Sequence, residues 1–326
     1  MAYMKGAEII GESILQLGVE KVYGFPHPPV SELHEYLAKK EVFLPALSLR
    51  EAASTSLGLS LAGKRTFIIT SGTNIHDVQE AVSYAMSFEI PLSIIHVGRS
   101  LPGLGNPYPY QGDFDILTGG DFPPLVFSPA SLEEIPLLLG KMVALAEKCR
   151  VPSVFYIDSA LFHMTGDIDV KVMAEPRVWG FADKDVEYFT SVHLDVAVME
   201  KKMFSLIEKF NKIQAEALCE SYKMEDAEYA ICAYGICGYI AKNLVDLFRA
   251  SKKKTGLLRP VTLSPFVNLK ERMQGMKKIF VIEMSNGQLT GHMKQYLVNM
   301  EIIPYCTYGG LLPEQENLFK FIEESL

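Results

Sequence analysis

The segment Gly24-Phe25-Pro26-His27-Pro28-Pro29-Val30-Ser31-Glu32 decides the fold of this 326-residue chain. It connects a short apolar strand, Lys21-Val22-Tyr23-Gly24-Phe25, to a helix that begins at Ser31 and runs to about Lys39. Its three prolines restrict φ and remove amide donors, so neither the strand nor the helix can continue through it. A strand that enters a helix through so tight an elbow is typical of α/β folds.

Strands and helices alternate on both sides of this elbow. Helical spacing and small residues predict helices at residues 5–18, 31–39, 51–62, 77–88 and 131–148. Apolar runs predict strands at residues 21–25, 66–70, 91–97, 124–127 and 154–157. In the last of these helices, Ser131 is predicted as the cap, with Glu134 completing a capping box. This alternation predicts a parallel sheet that is covered by helices on both faces.

The pattern changes near residue 166 and returns near residue 227. Between them we predict a linker that contains the only tryptophan, Trp179, and one long helix over 198–219. Met199, Met203 and Phe210 share one face of that helix, for which we favour a subunit contact. A second α/β unit follows. We therefore predict an α/β domain over 1–165, a linker with a long helix over 166–226, and a smaller α/β domain over 227–326.

Composition excludes several classes of function. A net charge of −8 argues against a nucleic-acid footprint, and we find no run of about 18 uncharged apolar residues. The N-terminal residues lack the apolar core of a signal peptide, so we expect a cytoplasmic location. Of the five cysteines, only Cys232 and Cys237 are close, and their spacing suits neither zinc nor an iron–sulfur cluster. We expect no metal site in this chain.

Motifs along the chain resemble those of the α subunits of 2-oxoacid:ferredoxin oxidoreductases, within the pyruvate:ferredoxin oxidoreductase superfamily. The nearest type is the branched-chain, 2-oxoisovalerate type, with the 2-oxoglutarate type related to it. The matching stretches are the elbow, Arg99 with residues 102–106, Gln111-Gly112-Asp113, residues 256–266 and residues 283–288. Each motif alone is weak, but their order and spacing across most of the chain make the resemblance specific.

The resemblance implies a pyrimidine-type thiamine-diphosphate domain followed by a transketolase-C-terminal-like domain. It implies oxidative decarboxylation of a 2-oxoacid to acyl-CoA, with coenzyme A as co-substrate and ferredoxin as electron acceptor. Thiamine diphosphate would be shared with a β subunit that holds Mg²⁺ and a [4Fe-4S] cluster. Further γ and δ subunits would complete the complex, and this chain alone would not turn over.

Thiamine catalysis needs a carboxylic acid against N1′ of the aminopyrimidine, where it promotes loss of the C2 proton. The glutamates that supply it in the family fall on Leu47 and Leu49 of this chain, so Leu49 is expected at the cofactor. The nearest carboxylate is Glu51, a candidate catalytic residue only if its helix begins later than in relatives. The alternative is that Glu51 is a solvated acid at a helix N-terminus.

The elbow departs from the family where a threonine hydroxyl meets the substrate, because that position is Pro28. His27 beside it is a candidate to bind a substrate carboxylate or to carry a proton, and the alternative is a packed imidazole. Arg99 matches a family arginine and is a candidate clamp for that carboxylate; the alternative is a surface guanidinium.

The turn Ser71-Gly72-Thr73-Asn74 replaces a family Ser-Ser/Gly-Pro-Gly turn. It follows a strand, so Gly72, Thr73 and Asn74 are expected near the cofactor and Ser71 near the substrate. Asn74 tolerates the positive φ that a glycine adopts.

Two other functions remain open from the residues. Pro28, Leu47 and Leu49 are consistent with a degenerate paralogue that serves as a structural or regulatory subunit. A redirected, non-oxidative thiamine decarboxylase is also possible. Bound thiamine diphosphate would argue against the first, and the reaction product would identify the second.

Overall fold

A computed structural model describes residues 2–103, 105–174 and 190–326, so Trp179 and part of the predicted linker lie outside the described residues. The helices are α1 (Gly6–Gln16), α2 (Ser31–Lys39), α3 (Leu49–Leu61), α4 (Gln79–Phe88), α5 (Phe114–Thr118), α6 (Glu134–Cys149), α7 (Ser159–His163), α8 (Val196–Ile213), α9 (Gly235–Ala250), α10 (Leu269–Arg272), α11 (Gln288–Tyr296) and α12 (Gln315–Ser325). Short 3₁₀ helices span Gly72–Val78 and Gln214–Glu216.

The strands are β1 (Ala2–Lys5), β2 (Lys21–Gly24), β3 (Phe43–Pro45), β4 (Thr66–Ser71), β5 (Ser93–Ser100), β6 (Asn106–Pro109), β7 (Leu125–Phe127), β8 (Ser153–Asp158), β9 (Thr165–Ile168), β10 (Cys219–Tyr222), β11 (Tyr229–Cys232), β12 (Thr255–Pro260), β13 (Thr262–Ser264), β14 (Lys278–Glu283) and β15 (Ile302–Cys306). None of the helices in the described ranges combines the length and the apolar character that a membrane span requires.

The larger sheet has the order β13-β7-β8-β5-β4-β2-β3, with β6 paired to β5. All of its pairs are parallel except β13 with β7 and β6 with β5. Every residue of β4, β5 and β8 is buried, as expected for parallel strands that are covered on both faces. The predicted α/β class and parallel sheet are confirmed.

The second sheet has the order β10-β12-β11-β14-β15 and is parallel except for β10. Strand β13 comes from the C-terminal part of the chain but pairs with β7, so it joins that part of the chain to the first sheet. The predicted domain limits at 165 and 226 remain predictions.

Hydrogen bonds of Gln111 tie the two sheets to each other. Its side-chain amide donates to the Tyr234 carbonyl at 2.9 Å and accepts from the Met284 amide at 3.0 Å. Asp158, at the end of β8, accepts from Ile236 at the start of α9 at 2.8 Å. Burial raises the pKa of the Asp158 carboxyl to about 6. Buried polar bonds of this kind require one fixed arrangement, since each group would otherwise be unpaired.

Several element limits differ from the sequence-based expectation. Helix α3 begins at Leu49, with Ser48 as its cap, rather than at Glu51. The prediction of a capping box at Ser131 is wrong, because α6 begins at Glu134 and the Glu134 carboxylate accepts from the Ala130 amide. Helix α8 ends at Ile213 rather than at residue 219. The first turn of the predicted helix at 77–88 belongs to the 3₁₀ helix Gly72–Val78.

Arg259 of β12 forms a buried ionic link between the second sheet and the start of α6. Its guanidinium donates to Glu134 at 2.5 Å and to Glu220 at 2.7 Å, and its side chain is 3% exposed. We expect Arg259→Met, which keeps the apolar stem, to lower the free energy of unfolding by about 3 kcal/mol because Glu134 loses its cation and Glu220 keeps only Lys242. Urea unfolding measures this, with the exposed Arg272→Ala as control. Equal stability of the Arg259 variant and this control would contradict the prediction.

Candidate functional site

A cavity of about 570 Å³ lies at the carboxyl ends of β2, β4 and β5. Ligands of open α/β sheets bind at this edge, because the loops that follow the strands meet there. The residues that line it are Phe25, His27, Pro28, Leu47, Ser48, Leu49, Asn74, Asp77, Arg99, Gly105, Asn106 and Pro107. Five residues of the sequence-based site, His27, Pro28, Leu49, Asn74 and Arg99, therefore share one cavity.

His27 is held as a neutral imidazole by its hydrogen bonds. Nδ1 lies 2.6 Å from the Phe25 carbonyl oxygen, which only accepts, so Nδ1 carries the proton. Nε2 then accepts from the Ser71 hydroxyl at 2.8 Å and from the Asn74 amide at 3.1 Å. Burial is the main cause that lowers the pKa of His27, and Arg99 adds to it. His27 therefore acts as a hydrogen-bond acceptor at neutral pH.

Arg99 extends this hydrogen-bonded chain from the end of β5. Its Nε donates to the Ser71 hydroxyl oxygen at 3.3 Å, and the residue is 4% exposed. Ser71 thus accepts from Arg99 and donates to His27. Burial lowers the pKa of the Arg99 guanidinium and the nearby Asp113 carboxylate opposes that shift. Arginine nevertheless stays charged, so the cavity has a fixed cation in its wall.

Gly72 is required where it stands. Its φ is +53°, and a Cβ there would lie 2.9 Å from the Arg99 Nε. A larger residue would be strained and would also displace the guanidinium. Gly72 and Thr73 do not themselves line the cavity, so their predicted contact with a cofactor stays a prediction.

One wall of the cavity is apolar. Leu49 is 4% exposed at the first turn of α3, whereas Leu47 before the helix is 89% exposed. Pro28 completes this wall from the elbow. Leu47 and Leu49 therefore present hydrocarbon to the cavity, and their match to the family's glutamates stays a prediction.

Glu51 caps the helix and does not line the cavity. Its carboxylate accepts from the Leu47 amide at 2.7 Å, while the Glu51 amide donates to the Ser48 hydroxyl at 3.2 Å. This reciprocal pattern stabilises a helix N-terminus. The condition for a catalytic Glu51 was a later helix start, and α3 begins earlier instead. The catalytic role of Glu51 stays an untested prediction that this geometry does not favour.

Sequence reasoning missed Asp77, the one carboxylate that the described residues bring to the cavity lining. The segment after β4 was interpreted as a turn followed by an α-helix, but Gly72–Val78 is a 3₁₀ helix. Residues three apart lie above one another in a 3₁₀ helix, so Asn74 and Asp77 face the same side. The three-residue spacing was the available signal.

His96 and Asp113 form a fully buried pair beneath this site. The His96 Nε2 and the Asp113 carboxylate are 2.8 Å apart, and neither side chain is exposed. Asp113 belongs to the Gln111-Gly112-Asp113 motif, whose Gln111 joins the two sheets.

Comparisons with known proteins agree with this architecture. A family model described as "Pyruvate flavodoxin/ferredoxin oxidoreductase, thiamine diP-bdg" matches residues 12–228. A second, "Pyruvate:ferredoxin oxidoreductase core domain II", matches residues 227–316. The first covers most of the chain, and together they agree with the resemblance of the sequence motifs.

Curated relatives match over nearly the whole chain. The sequence is 32% identical over 340 residues to the ketoisovalerate oxidoreductase subunit VorB of Methanothermobacter marburgensis, covering 98% of this chain and 97% of that protein. It is 25% identical over 350 residues to the 2-oxoglutarate synthase subunit KorA of Archaeoglobus fulgidus, covering 100% and 99%.

Solved structures show the same fold. A 2-oxoglutarate:ferredoxin oxidoreductase from Magnetococcus marinus, with 2-oxoglutarate, coenzyme A and succinyl-CoA bound, superposes with a TM-score of 0.89 at 20% identity. The match covers 99% of this chain but 65% of that longer chain. A split-gene transketolase, an inactive β4 tetramer, superposes with a TM-score of 0.58 at 13% identity over 99% and 98% of the two chains. At such identities these matches speak to fold alone.

Proposed function

Because this chain belongs to the pyruvate flavodoxin/ferredoxin oxidoreductase family, we propose that it is the α subunit of a thiamine-diphosphate-dependent 2-oxoacid:ferredoxin oxidoreductase. The reaction is oxidative decarboxylation of a 2-oxoacid to acyl-CoA. The observation that carries the proposal is the cavity at the carboxyl ends of β2, β4 and β5, with the Arg99 cation in its wall. Such a cation is suited to a substrate carboxylate.

The residues present fit one half of the cofactor. Hydrocarbon from Leu47, Leu49 and Pro28 suits the flat face of an aminopyrimidine, and Asn74 and Asp77 offer polar contacts at its edge. Within the described ranges, no group of three or more His, Cys, Asp or Glu side chains could hold a metal ion. We therefore assign the diphosphate with its Mg²⁺ and the [4Fe-4S] cluster to a β subunit. When bound, thiamine diphosphate supplies the carbanion chemistry that decarboxylation needs.

The substrate carboxylate is assigned to Arg99. Its Nε is committed to Ser71, which holds the guanidinium plane in one orientation. The Ser71 hydroxyl in turn donates to the neutral His27, so the chain of donors runs in one direction from Arg99 to the Phe25 carbonyl. This fixed orientation replaces the contact that a threonine at position 28 would make. His27 and Ser71 hold the Arg99 side chain in position. Because the Arg99 Nε already donates to Ser71, no other acceptor takes that donor.

The cavity favours a 2-oxoacid with an apolar side chain. Among the described residues that line it, Arg99 is the one Lys or Arg, so a second substrate carboxylate would have no cation from this part of the chain. Burying an unpaired carboxylate is costly, whereas a branched aliphatic chain can be buried without a charged partner. The substrate class we propose is therefore the branched-chain 2-oxoacids.

The open side of the cavity indicates that partner subunits cover it. Leu47 is 89% exposed and Phe25 is 44% exposed at its rim, and large apolar side chains in this setting indicate a covered surface. We propose that the β subunit covers it, that γ and δ subunits complete the complex, and that ferredoxin accepts the electrons in the cytoplasm.

The test is turnover by the complex purified from its natural source. With thiamine diphosphate and coenzyme A, we expect dye reduction with branched-chain 2-oxoacids at a kcat/KM at least about tenfold above that with 2-oxoglutarate, since an unpaired buried charge costs more than 1.4 kcal/mol. Pyruvate serves as the small-substrate control. A preference for 2-oxoglutarate would contradict the substrate class.

The same preparation separates the proposal from its alternatives. Bound thiamine diphosphate without turnover of any 2-oxoacid would exclude the proposed reaction. Absence of the cofactor from a complete complex would favour a structural or regulatory subunit. Release of aldehyde without acyl-CoA would identify a non-oxidative decarboxylase.

A further inference from the structure

We propose that Asp77 supplies the carboxylic acid that meets N1′ of the aminopyrimidine in this chain. This inference rests on the proposed function and assigns within it a catalytic role for which the sequence offered Glu51 only as the nearest carboxylate. It follows from three features: Asp77 lines the cavity, Leu49 lines the same cavity, and Glu51 is engaged elsewhere.

The position of Asp77 is set by the 3₁₀ helix Gly72–Val78. Asn74 and Asp77 are three residues apart and both line the cavity, as one face of a 3₁₀ helix requires. This 3₁₀ helix packs against α3, whose first residue is Leu49. Asp77 and Leu49 therefore belong to two packed elements that border the same cavity. A carboxylate from one element can occupy the region where relatives use the other.

The Asp77 carboxylate is available for a ligand. No described side chain or backbone amide donates a hydrogen bond to it, and no described cation lies within salt-bridge distance. Glu51 is the opposite case, because its carboxylate already accepts from the Leu47 amide. Recruiting Glu51 would break a helix cap, an interaction whose loss costs about 1 kcal/mol. Placing the Asp77 carboxylate against the ring would break no hydrogen bond that the described residues make to it.

The test compares Asp77→Asn with wild type in the reconstituted complex, using thiamine diphosphate as the probe. The first readout is the dissociation constant for thiamine diphosphate from calorimetry on the apo complex. The second is the rate of deuterium exchange at C2 of the bound cofactor, followed by NMR after acid quench. We expect affinity to weaken about tenfold, since one hydrogen bond to the ring is altered. We expect exchange to slow on the order of 10²–10⁴-fold, as for removal of a general acid.

Two further variants make the result specific. Glu80→Gln removes an exposed acid of α4 outside the cavity and is expected to leave both readouts unchanged. Glu51→Gln keeps a side-chain oxygen that can still cap the helix, and it is expected to leave exchange within about threefold of wild type because it removes no acid at the ring. Recovery of exchange in the double variant Asp77→Asn with Leu49→Glu would support a requirement for a carboxyl group in the cavity.

Different results would refute the role of Asp77 and the proposed function. If Asp77→Asn binds the cofactor and exchanges C2 at the wild-type rate, the role of Asp77 is refuted while the proposed function stands. Slow exchange in Glu51→Gln with normal exchange in Asp77→Asn would transfer the role to Glu51. A wild-type complex that binds no thiamine diphosphate would overturn the proposed function and this inference with it.

Discussion

Replacing Arg99 by methionine is expected to reduce kcat/KM for the best 2-oxoacid on the order of 10²–10³-fold, because two hydrogen bonds from a charged donor are each worth about 1.5–3 kcal/mol. Methionine keeps the length of the side chain but removes the cation from the cavity wall. Arg99 is 4% exposed and its Nε is held by Ser71. In the methionine variant, a cation from solvent therefore cannot take the place of the guanidinium in the same geometry.

The measurement is steady-state kinetics of the complex with the substrate panel. Most of the loss is expected in KM, because a carboxylate that does not react is bound in the ground state as well as in the transition state. Arg99→Lys is expected to recover part of the activity, since lysine keeps the charge without the planar pair of donors. Arg272→Ala, an exposed arginine of α10, is the control. Wild-type KM in Arg99→Met would refute the assignment of the substrate carboxylate.

We expect His34 to make the stability of the fold depend on pH. The ring stacks on Phe43 with 4.3 Å between centroids and is 3% exposed, and neither ring nitrogen has a hydrogen-bond partner. It also lies against the elbow strand, because a Cβ on Gly24 would be 2.8 Å from the His34 Nε2. Burial lowers the pKa of His34 to about 3 from an ordinary value of 6.5.

A lowered histidine pKa contributes stability that is present above the unfolded value and is lost as pH falls. Above pH 6.5 both states carry a neutral ring, so the contribution does not change. Between pH 6.5 and 3 the unfolded chain takes up a proton that the folded chain does not. Each pH unit in this window then lowers the free energy of unfolding by about 1.4 kcal/mol, which amounts to about 3 kcal/mol at pH 4.

The variant His34→Leu isolates this effect from the titration of other groups. The difference in unfolding free energy between His34→Leu and wild type is expected to be constant above pH 7 and to grow in favour of the variant as pH falls toward 4. Urea unfolding at half-unit pH intervals measures it. The matched control is His76→Leu, at an exposed position of the 3₁₀ helix. A difference that does not vary between pH 7 and pH 4 would contradict a neutral buried His34.

Local pattern was enough to predict most of the elements. The strands β2, β4, β7 and β8 and the helices α1 and α2 agree with the sequence to within a few residues, because their apolar periodicity depends only on neighbours along the chain. The elbow was recognisable for the same reason, since proline restricts the backbone whatever surrounds it.

The sequence-based predictions were wrong where a side chain or a strand pairs with a partner that is distant along the chain. Glu134 was expected to cap at Ser131, but it accepts from Ala130 and also pairs with Arg259 in the C-terminal sheet. The edge strand β13 lies in a segment that was interpreted as part of the second unit, yet it pairs with β7 of the first. Neither choice is visible in a local window.

The sequence by itself determined the α/β class, the elbow, the family and the cavity candidates His27, Pro28 and Arg99, because motif order and short-range periodicity are properties of the chain. Only the tertiary structure decided that Glu51 caps a helix while Asp77 faces the cavity, and that Ser71 links Arg99 to His27. The physical reason is that a hydrogen bond or an orientation toward a cavity depends on which strand ends meet, and that is set by packing between elements far apart in the chain.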